Sequence, residues 1–288
     1  MEKRAFGKTG MDISIITFGG IAVNKTTASD AAEIVSFAIE HGVNYFDSAP
    51  SYGDSQYTLG TALKPYRKDI YLACKTNKRT AAEAQAELEE SLRAHHTDYF
   101  DLYQLHGLDK PEDIETTFAP GGAMEVLLRA KEKGIVRHLG ITCHHDASVP
   151  KILAKYDGFE TLLCRVNYAS YLKKGVSVDS LKICAERGMG VVAIKSLMRR
   201  ALREGEERIV TKNWYYPIYD DPAFARLALN FTLTPPVTTA VTPGDIGMTR
   251  LAINLIGAQG GKYEPLTESE LEYLKAEAAE VENFLFDE

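Results

Sequence analysis

The sequence predicts an α/β fold, a closed (β/α)8 TIM barrel of parallel strands with its active site at the C-terminal face. Three observations predict it. Eight short runs rich in Val, Ile, Leu, Tyr and Phe recur along the chain, and amphipathic helical stretches fill the intervals between them. The starts of the runs lie 30, 27, 28, 37, 26, 29 and 47 residues apart, a near-constant period. Strand alternating with helix at that period implies right-handed βαβ units and a parallel sheet. Eight such units close a barrel whose strands, buried on both faces, read as apolar runs. An open doubly wound sheet would want G-x-G-x-x-G after its first strand, and FGGIAVN does not supply it.

The strands, in order, are ISIITF (13–18), VNYF (43–46), IYLAC (70–74) and DYFDLYQL (98–105). Then come IVRHLGIT (135–142), TLLCRV (161–166), GVVAIK (190–195) and VTTAV (237–241). After the first strand, Ala31, Ile34, Val35, Ala38 and Ile39 repeat at i, i+3, i+4, one buried helix face. Thr80 with Glu83 makes a capping-box pattern ahead of Leu88 and Leu92. Lys131 and Lys133 followed by Gly134 read as a basic last turn and C-cap, and Gly42 and Gly188 punctuate likewise. Thr267 with Glu270 opens a last helix carrying Leu271, Leu274 and Ala278. One barrel domain over 1–288 is expected, with a short C-terminal helical extension at about 266–284. Two intervals are long: a polar segment at 107–120 and an aromatic-rich one at 199–221. Each follows a strand and precedes a helix, which places both on the C-terminal face.

Composition narrows the function classes. A chain of 288 residues, 45% hydrophobic and 25% charged, buries a core without disulfide or metal staples. A formal charge of −7 argues against a nucleic-acid partner. The four cysteines form no C-x-x-C pair, so no zinc ribbon or thioredoxin motif is present, and their spacing suits a reduced compartment. The stretch MEKRAFGKTG lacks the apolar core of a signal peptide, and the weakly polar run 13–23 is too short to span a bilayer. A cytoplasmic protein without membrane partner, monomeric by default, is expected.

Residues just after the strands share one mouth in a barrel. They include Gly19 and Gly20, then Asp47 and Tyr52 in FDSAPSYG, Lys75 in CKT and His106 in QLHG. Further on come Thr142, Cys143, His144 and His145 in TCHH, and Lys195 and Ser196 in IKS. Asp, Tyr, Lys and His from successive strand ends form an acid–base set. A phenol of reference pKa near ~10 is a weak acid at neutral pH, and a lysine cation beside it favours the phenolate. An aspartate holds that lysine charged, and a histidine orients a carbonyl oxygen or relays a proton. Such a set protonates a developing alkoxide while another group delivers hydride. Each member alone has a plainer reading: a helix cap for Asp47, a rim aromatic for Tyr52, a hydrogen-bonded structural histidine for His106. The joint spacing carries the signal. A metal site is not expected, because the adjacent His144 and His145 point apart on a strand end.

The strings NYFDSAPSYG, YLACKT, DLYQLHG, VRHLGIT and PVTTAVTPGDIGMTRLAIN resemble the aldo-keto reductases, over about residues 4–256. The resemblance implies that Tyr52 is the general acid, Lys75 and Asp47 its tuning pair, and His106 the carbonyl-orienting residue. It implies the same barrel, a nicotinamide cofactor extended across the C-terminal face, and reduction of a small-molecule aldehyde or ketone to an alcohol. Cofactor contacts implied at matching positions are Gly20, Thr142, Asn167, Lys195, Ser196, Gly244, Arg250 and Asn254. Cys143 stands where the family keeps an amide, and Lys195 where an aromatic residue commonly stacks. Arg250 with Asn254 keeps the family's spacing at the adenosine end, which favours NADP(H), with NAD(H) possible. The 199–221 segment is expected to fold over the cofactor. Two other functions stay open: a Schiff-base aldolase or lyase using Lys75 or Lys195, and a weakly catalytic NADP-binding regulator.

Overall fold

The computed structural model describes residues 1–210 and 212–285, so residue 211 of the 199–221 segment and the last three residues of the expected domain lie outside the described residues. The chain opens with an antiparallel hairpin, β1 (Lys3–Ala5) and β2 (Asp12–Ser14). Barrel strands follow as β3 (Ile16–Gly19), β4 (Tyr45–Asp47), β5 (Tyr71–Thr76), β6 (Phe100–Leu105), β7 (Val136–Thr142), β8 (Thr161–Arg165) and β9 (Gly190–Ile194). A second hairpin, β10 (Met198–Ala201) with β11 (Tyr215–Pro217), precedes the last strand β12 (Thr239–Val241). The barrel closes in the order β12-β3-β4-β5-β6-β7-β8-β9, every neighbouring pair parallel.

Helices alternate with the strands as α1 (Ala28–Glu40), α2 (Ser55–Leu63), α3 (Ala81–Ala94), α4 (Pro111–Phe118), α5 (Ala123–Glu132) and α6 (Ser148–Lys155). They continue as α7 (Tyr168–Lys174), α8 (Val178–Arg187), α9 (Pro222–Thr232), α10 (Ile246–Ala258) and α11 (Glu268–Ala279). Ala31, Ile34, Val35 and Ala38 form the buried face of α1, as their spacing predicts. Thr267 and Glu270 exchange both bonds of a capping box at α11, which is shorter than the 266–284 expected. At α3 the Thr80 hydroxyl donates to the Glu83 carboxylate at 2.6 Å, and no side-chain cap reaches the backbone. Among the described residues no helix is long and apolar enough to cross a membrane.

The expected first strand at 13–18 is divided. Ile13 pairs with Arg4 in the hairpin, and only Ile16 onward joins the barrel. Phe6, Met11 and Ile13 pack against Tyr45, Ala73, Leu102, Leu163 and Val192, so the hairpin plugs the N-terminal end of the barrel. A plug and a barrel strand are both fully buried, and apolar periodicity does not tell them apart. The turn of the hairpin passes so close beneath β9 that a Cβ on Gly7 would sit 2.3 Å from the Gly190 nitrogen, at φ +56°. With that end sealed, the open mouth lies at the strand C-termini. The two long intervals build there: 107–120 contains α4, and 199–221 contains all of the β10–β11 hairpin but its first residue, Met198.

Candidate active site

Strand pairing sets one wall of the mouth. Asp47 is the last residue of β4, Lys75 the penultimate residue of β5, and His106 follows β6 directly. Lys75 is fully buried, and its Nζ donates to Asp47 Oδ2 at 2.5 Å, to the Ser48 carbonyl at 3.0 Å and to Tyr52 Oη at 3.1 Å. These three acceptors use all three ammonium protons. Gln104 Nε2 donates to the other Asp47 oxygen at 3.2 Å. The four sequence-predicted acid–base residues therefore meet: the His106 ring stands edge-on to Tyr52, with centroids 6.0 Å apart. His106 is anchored by its backbone, the N–H donating to Thr76 O at 2.9 Å and the carbonyl accepting from Arg79 Nη2 at 2.7 Å. Its Nδ1 lies 2.9 Å from Asn77 Oδ1 and 3.4 Å from Ser51 Oγ.

Electrostatics follow from burial and these partners. Burial raises the Tyr52 phenol; the Lys75 charge opposes this and the Asp47 charge adds to it, leaving the phenol above its ordinary value. This corrects the sequence expectation of a lowered phenol: without a ligand, burial outweighs the lysine, and Tyr52 is a protonated donor. Burial pulls the Lys75 ammonium down, but Asp47 and Tyr52 outweigh it and the group stays charged. His106 is pushed well below the usual imidazole range by burial, then by Lys75, His144 and Arg79, so its ring is neutral at physiological pH.

The rest of the mouth is a cleft of about 340 Å³ roofed by the β10–β11 hairpin. Asn213 in that hairpin loop accepts from the Gly244 N–H at 3.1 Å, and Lys212 Nζ donates to Ala22 O at 2.8 Å. The loop thus spans from the β9 exit to the β12 and β3 exits. Lys195 has φ +72°, a left-handed value uncommon outside glycine, and its Nζ lies 5.6 and 5.0 Å from the Trp214 and Tyr215 ring centroids. Burial, with Arg165 nearby, pushes the Lys195 ammonium down to about 8. Among the described residues neither Lys195 nor Lys212 makes an ion pair. Lys195 has no carboxylate partner, the Asp245 and Asp54 charges act on Lys212 from beyond ion-pair distance, and both ammonium groups line one cleft, an arrangement that fits an anionic ligand such as a dinucleotide.

The residues expected to hold a cofactor divide. Thr142, Lys195 and Gly244 line the cleft. Thr142 Oγ1 already accepts from the Gly107 N–H at 2.6 Å. Gly20, Asn167, Ser196, Arg250 and Asn254 do not line it. Gly20 sits one residue off, packed so tightly that a Cβ would lie 2.7 Å from Asp47 O. Asn167 is a structural cap: Oδ1 accepts from the Ala169 and Ser170 N–H groups that open α7, and Nδ2 donates to the Lys195 and Met198 carbonyls. Ser196 is buried behind the wall, and Asn254 is exposed on α10. Arg250 pairs with Glu33 at 2.5 Å and lies over the Phe37 ring. His144 faces the cleft while His145 lines a separate outer depression. Sequence reasoning missed Gln104, Asn77 and the Lys212–Asn213 pair. Gln104 had a signal, since it lies two residues before His106 on an alternating strand.

The family model described as "Aldo/keto reductase family" matches residues 15–215. The "Uncharacterized oxidoreductase YqkF" of Bacillus subtilis is 25% identical, the alignment covering 96% of this chain and 96% of that protein. The "L-galactose dehydrogenase" of Arabidopsis thaliana is 28% identical over 71% of this chain and 68% of its own length. Among solved structures, the holo form of the aldo-keto reductase AKR11C1 from Bacillus halodurans superposes with a TM-score of 0.71 at 24% identity, covering 98% of each chain. A family match across most of the barrel, on a chain whose Asp47, Tyr52, Lys75 and His106 meet at the strand ends, identifies this protein as an oxidoreductase of the aldo/keto reductase family.

Proposed function

We propose that the protein is an NAD(P)H-dependent oxidoreductase that reduces an aldehyde or ketone carbonyl to an alcohol, with Tyr52 as proton donor. The observation that carries this is the fully buried ammonium of Lys75, hydrogen-bonded at once to Asp47 and Tyr52 in the wall of the cleft. The nicotinamide cofactor, when bound, supplies the hydride. Tyr52 then gives its proton to the carbonyl oxygen. The phenolate left behind faces Lys75 at 3.1 Å, so the charge that burial penalises appears next to a fixed cation. Asp47, held by Gln104, keeps that cation in place. His106, neutral and edge-on to Tyr52, orients the oxygen. Trp214 and Tyr215 shield the reacting groups from water.

Lys195, Lys212 and the Gly244 N–H are the groups that would face the cofactor's phosphates, with Thr142 toward its carboxamide. Gly20, Asn167 and Ser196 act by shaping the backbone beneath. Arg250, with Asn254, favours NADP(H) over NAD(H) through a 2′-phosphate. The holo-form description of the Bacillus halodurans protein agrees with a cofactor-binding barrel. The names of the Arabidopsis relative and of "D-arabinose 1-dehydrogenase" from Saccharomyces cerevisiae suggest sugars among the first compounds to try.

Fluorescence titration with NADPH and NADH, then oxidation rates over an aldehyde and ketone panel, tests the reading. Tyr52→Phe is expected to lose about 10²–10⁴-fold in kcat with cofactor Kd nearly unchanged. Reduction by this variant at the wild-type rate would remove Tyr52 from the role. A Schiff-base reaction has one observation in its favour, the depressed pKa of Lys195. Borohydride trapping of a carbonyl compound on Lys195 without nicotinamide binding would establish it instead. Lys75, paired and held charged, offers no free amine.

A further inference from the structure

Two lysines among the described residues line the cleft, and they are held differently. Lys212 Nζ donates to the Ala22 carbonyl. Lys195 Nζ makes no hydrogen bond or ion pair among the described residues; it lies over the Trp214 and Tyr215 rings instead. The root of that side chain is nevertheless fixed. The Lys195 carbonyl accepts from the Met198 N–H at 3.0 Å and from Asn167 Nδ2 at 3.2 Å, and the backbone is locked at φ +72°. The titratable and charged groups that face the ammonium are Arg165 at the end of β8, His144 after β7, Tyr215 on β11 and Lys212 in the hairpin loop. No carboxylate stands among them to hold the charge. With the amine brought down to about 8 by burial and then by Arg165, about one Lys195 in ten is neutral at pH 7. An ordinary lysine near ~10.4 is neutral in fewer than about one in a thousand.

A partly neutral amine beside a second cation, rooted in a cleft that receives carbonyl compounds, is a nucleophile for them. We propose that Lys195 is a covalent site for aldehydes: in the enzyme without cofactor its amine condenses with an aldehyde to a reversible imine that closes the cleft to the dinucleotide. The nitrogen lone pair adds to the carbonyl carbon. The carbonyl oxygen takes up protons from the nitrogen and leaves as water, and a C=N bond forms. In sum, ammonium and aldehyde give iminium and water, with no oxidant or reductant. The positive charge stays on the nitrogen, over the same two aromatic rings. No carbon–carbon bond breaks, so the adduct is a dead end and not a lyase intermediate. The inference rests on the proposed oxidoreductase reading, in which the same ammonium faces the cofactor's phosphates. Imine and dinucleotide therefore exclude one another, and an aldehyde in excess over the cofactor restrains its own reduction. Ketones, which condense with amines less readily, escape this limit.

Propanal with cyanoborohydride, which reduces imines and spares aldehydes at neutral pH, tests this, and peptide mass spectrometry locates the propylated lysines. In wild type near neutral pH, Lys195 is expected to be labelled at least about ten-fold faster than any other lysine. Its labelling rate should level off above pH 8, while the rates of other lysines keep climbing toward pH ~10.4. NADP⁺ or NAD⁺ at saturation, whichever binds, should slow labelling of Lys195 by about ten-fold or more and leave the other lysines unchanged. Lys195→Arg keeps a cation and loses the condensing amine. In steady-state reduction, excess propanal should inhibit wild type competitively against NADPH, and that inhibition should vanish in Lys195→Arg. Labelling of Lys195 no faster than that of other lysines would overturn the proposal, as would labelling indifferent to a dinucleotide shown to bind. A wild type that binds neither NADPH nor NADH would instead overturn the oxidoreductase reading itself.

Discussion

The two walls of the cleft are built on opposite electrostatic principles. On the wall from β4, β5 and β6, charge is answered from within: the Lys75 ammonium spends its three protons on Asp47, Ser48 and Tyr52, and Gln104 completes the aspartate. On the wall from β9, β12 and the overlying hairpin, neither Lys195 nor Lys212 makes an ion pair among the described residues, and Asp245 and Asp54 act on Lys212 only from beyond ion-pair distance. The first wall is preorganised before any ligand arrives, as a site that must stabilise a transient charge requires. The second leaves ammonium charge unanswered within ion-pair distance, as a surface that receives an anion does. Damage to the first should therefore cost stability and chemistry together. Damage to the second should cost ligand affinity and relieve the empty protein.

The largest effect is expected from Lys75→Met. It leaves the Asp47 carboxylate buried with Gln104 as its remaining side-chain partner, and loss of one member of a buried pair typically costs about 3–5 kcal/mol. Urea unfolding should show a lower midpoint at unchanged slope, and reduction should fall with it. The double variant Asp47→Asn/Lys75→Met should recover much of the stability and none of the activity. Because the folded pKa of Lys75 is raised, its stabilising contribution is complete below the ordinary lysine value near ~10.4 and fades only as pH rises toward the folded one. The Lys75→Met deficit should thus stay constant from neutral pH to about 10. A deficit already shrinking between pH 7 and 9 would mean that Lys75 is not held charged, and the contrast between the walls would collapse.

Lys195→Met probes the other wall and should behave in the opposite sense. The folded pKa of Lys195 is depressed to about 8, so the charged group is penalised in the ligand-free protein at neutral pH. That penalty is present in full below about 8 and fades as pH rises toward the ordinary lysine value. The variant should therefore melt higher than wild type at pH 7, with the gap closing at alkaline pH. NADPH affinity should drop about ten-fold, roughly 1.4 kcal/mol for one lost charge contact. Wild-type affinity should weaken above pH 8 as the ammonium deprotonates, and the variant's should not. Calorimetric titration across that range checks this. A variant that keeps the wild-type pH slope would take Lys195 away from the cofactor.

The unequal legibility of the walls has the same origin. Asp47, Lys75 and His106 sit on or directly after strands whose period is visible in the sequence, so their convergence follows from counting units. Tyr52, five residues beyond Asp47 in FDSAPSYG, is implied as the acid by the resemblance to the aldo-keto reductases. Barrel closure was legible for the same reason, while the division of residues 13–18 between plug and strand was not, because both are equally buried. On the second wall the partners come from a hairpin loop. Nothing in its sequence says that Lys212 and Asn213 reach across to Ala22 and Gly244. The family resemblance implies Asn167 as a cofactor contact, yet the free N–H groups of α7 claim its side chain. An asparagine at a strand-to-helix turn meets that demand before any ligand does.

Arg250 offers the smallest and most selective test. Its guanidinium lies outside the cleft, bonded to Glu33 and seated on Phe37, so contact with a 2′-phosphate requires it to leave or share that carboxylate. An exposed ion pair of this kind is worth about 0–1 kcal/mol, an exchange that a phosphate dianion easily drives. Arg250→Ala should therefore leave stability and NADH affinity within error and weaken NADPH by about three- to ten-fold, and Glu33→Gln should tighten NADPH by a smaller factor. These opposite signs on NADPH, with NADH as the silent control, separate a selecting arginine from a surface one. Equal losses for both cofactors in Arg250→Ala would assign Arg250 to packing of α10 on α1 and shift the choice between NADP(H) and NAD(H) onto the lysines of the cleft.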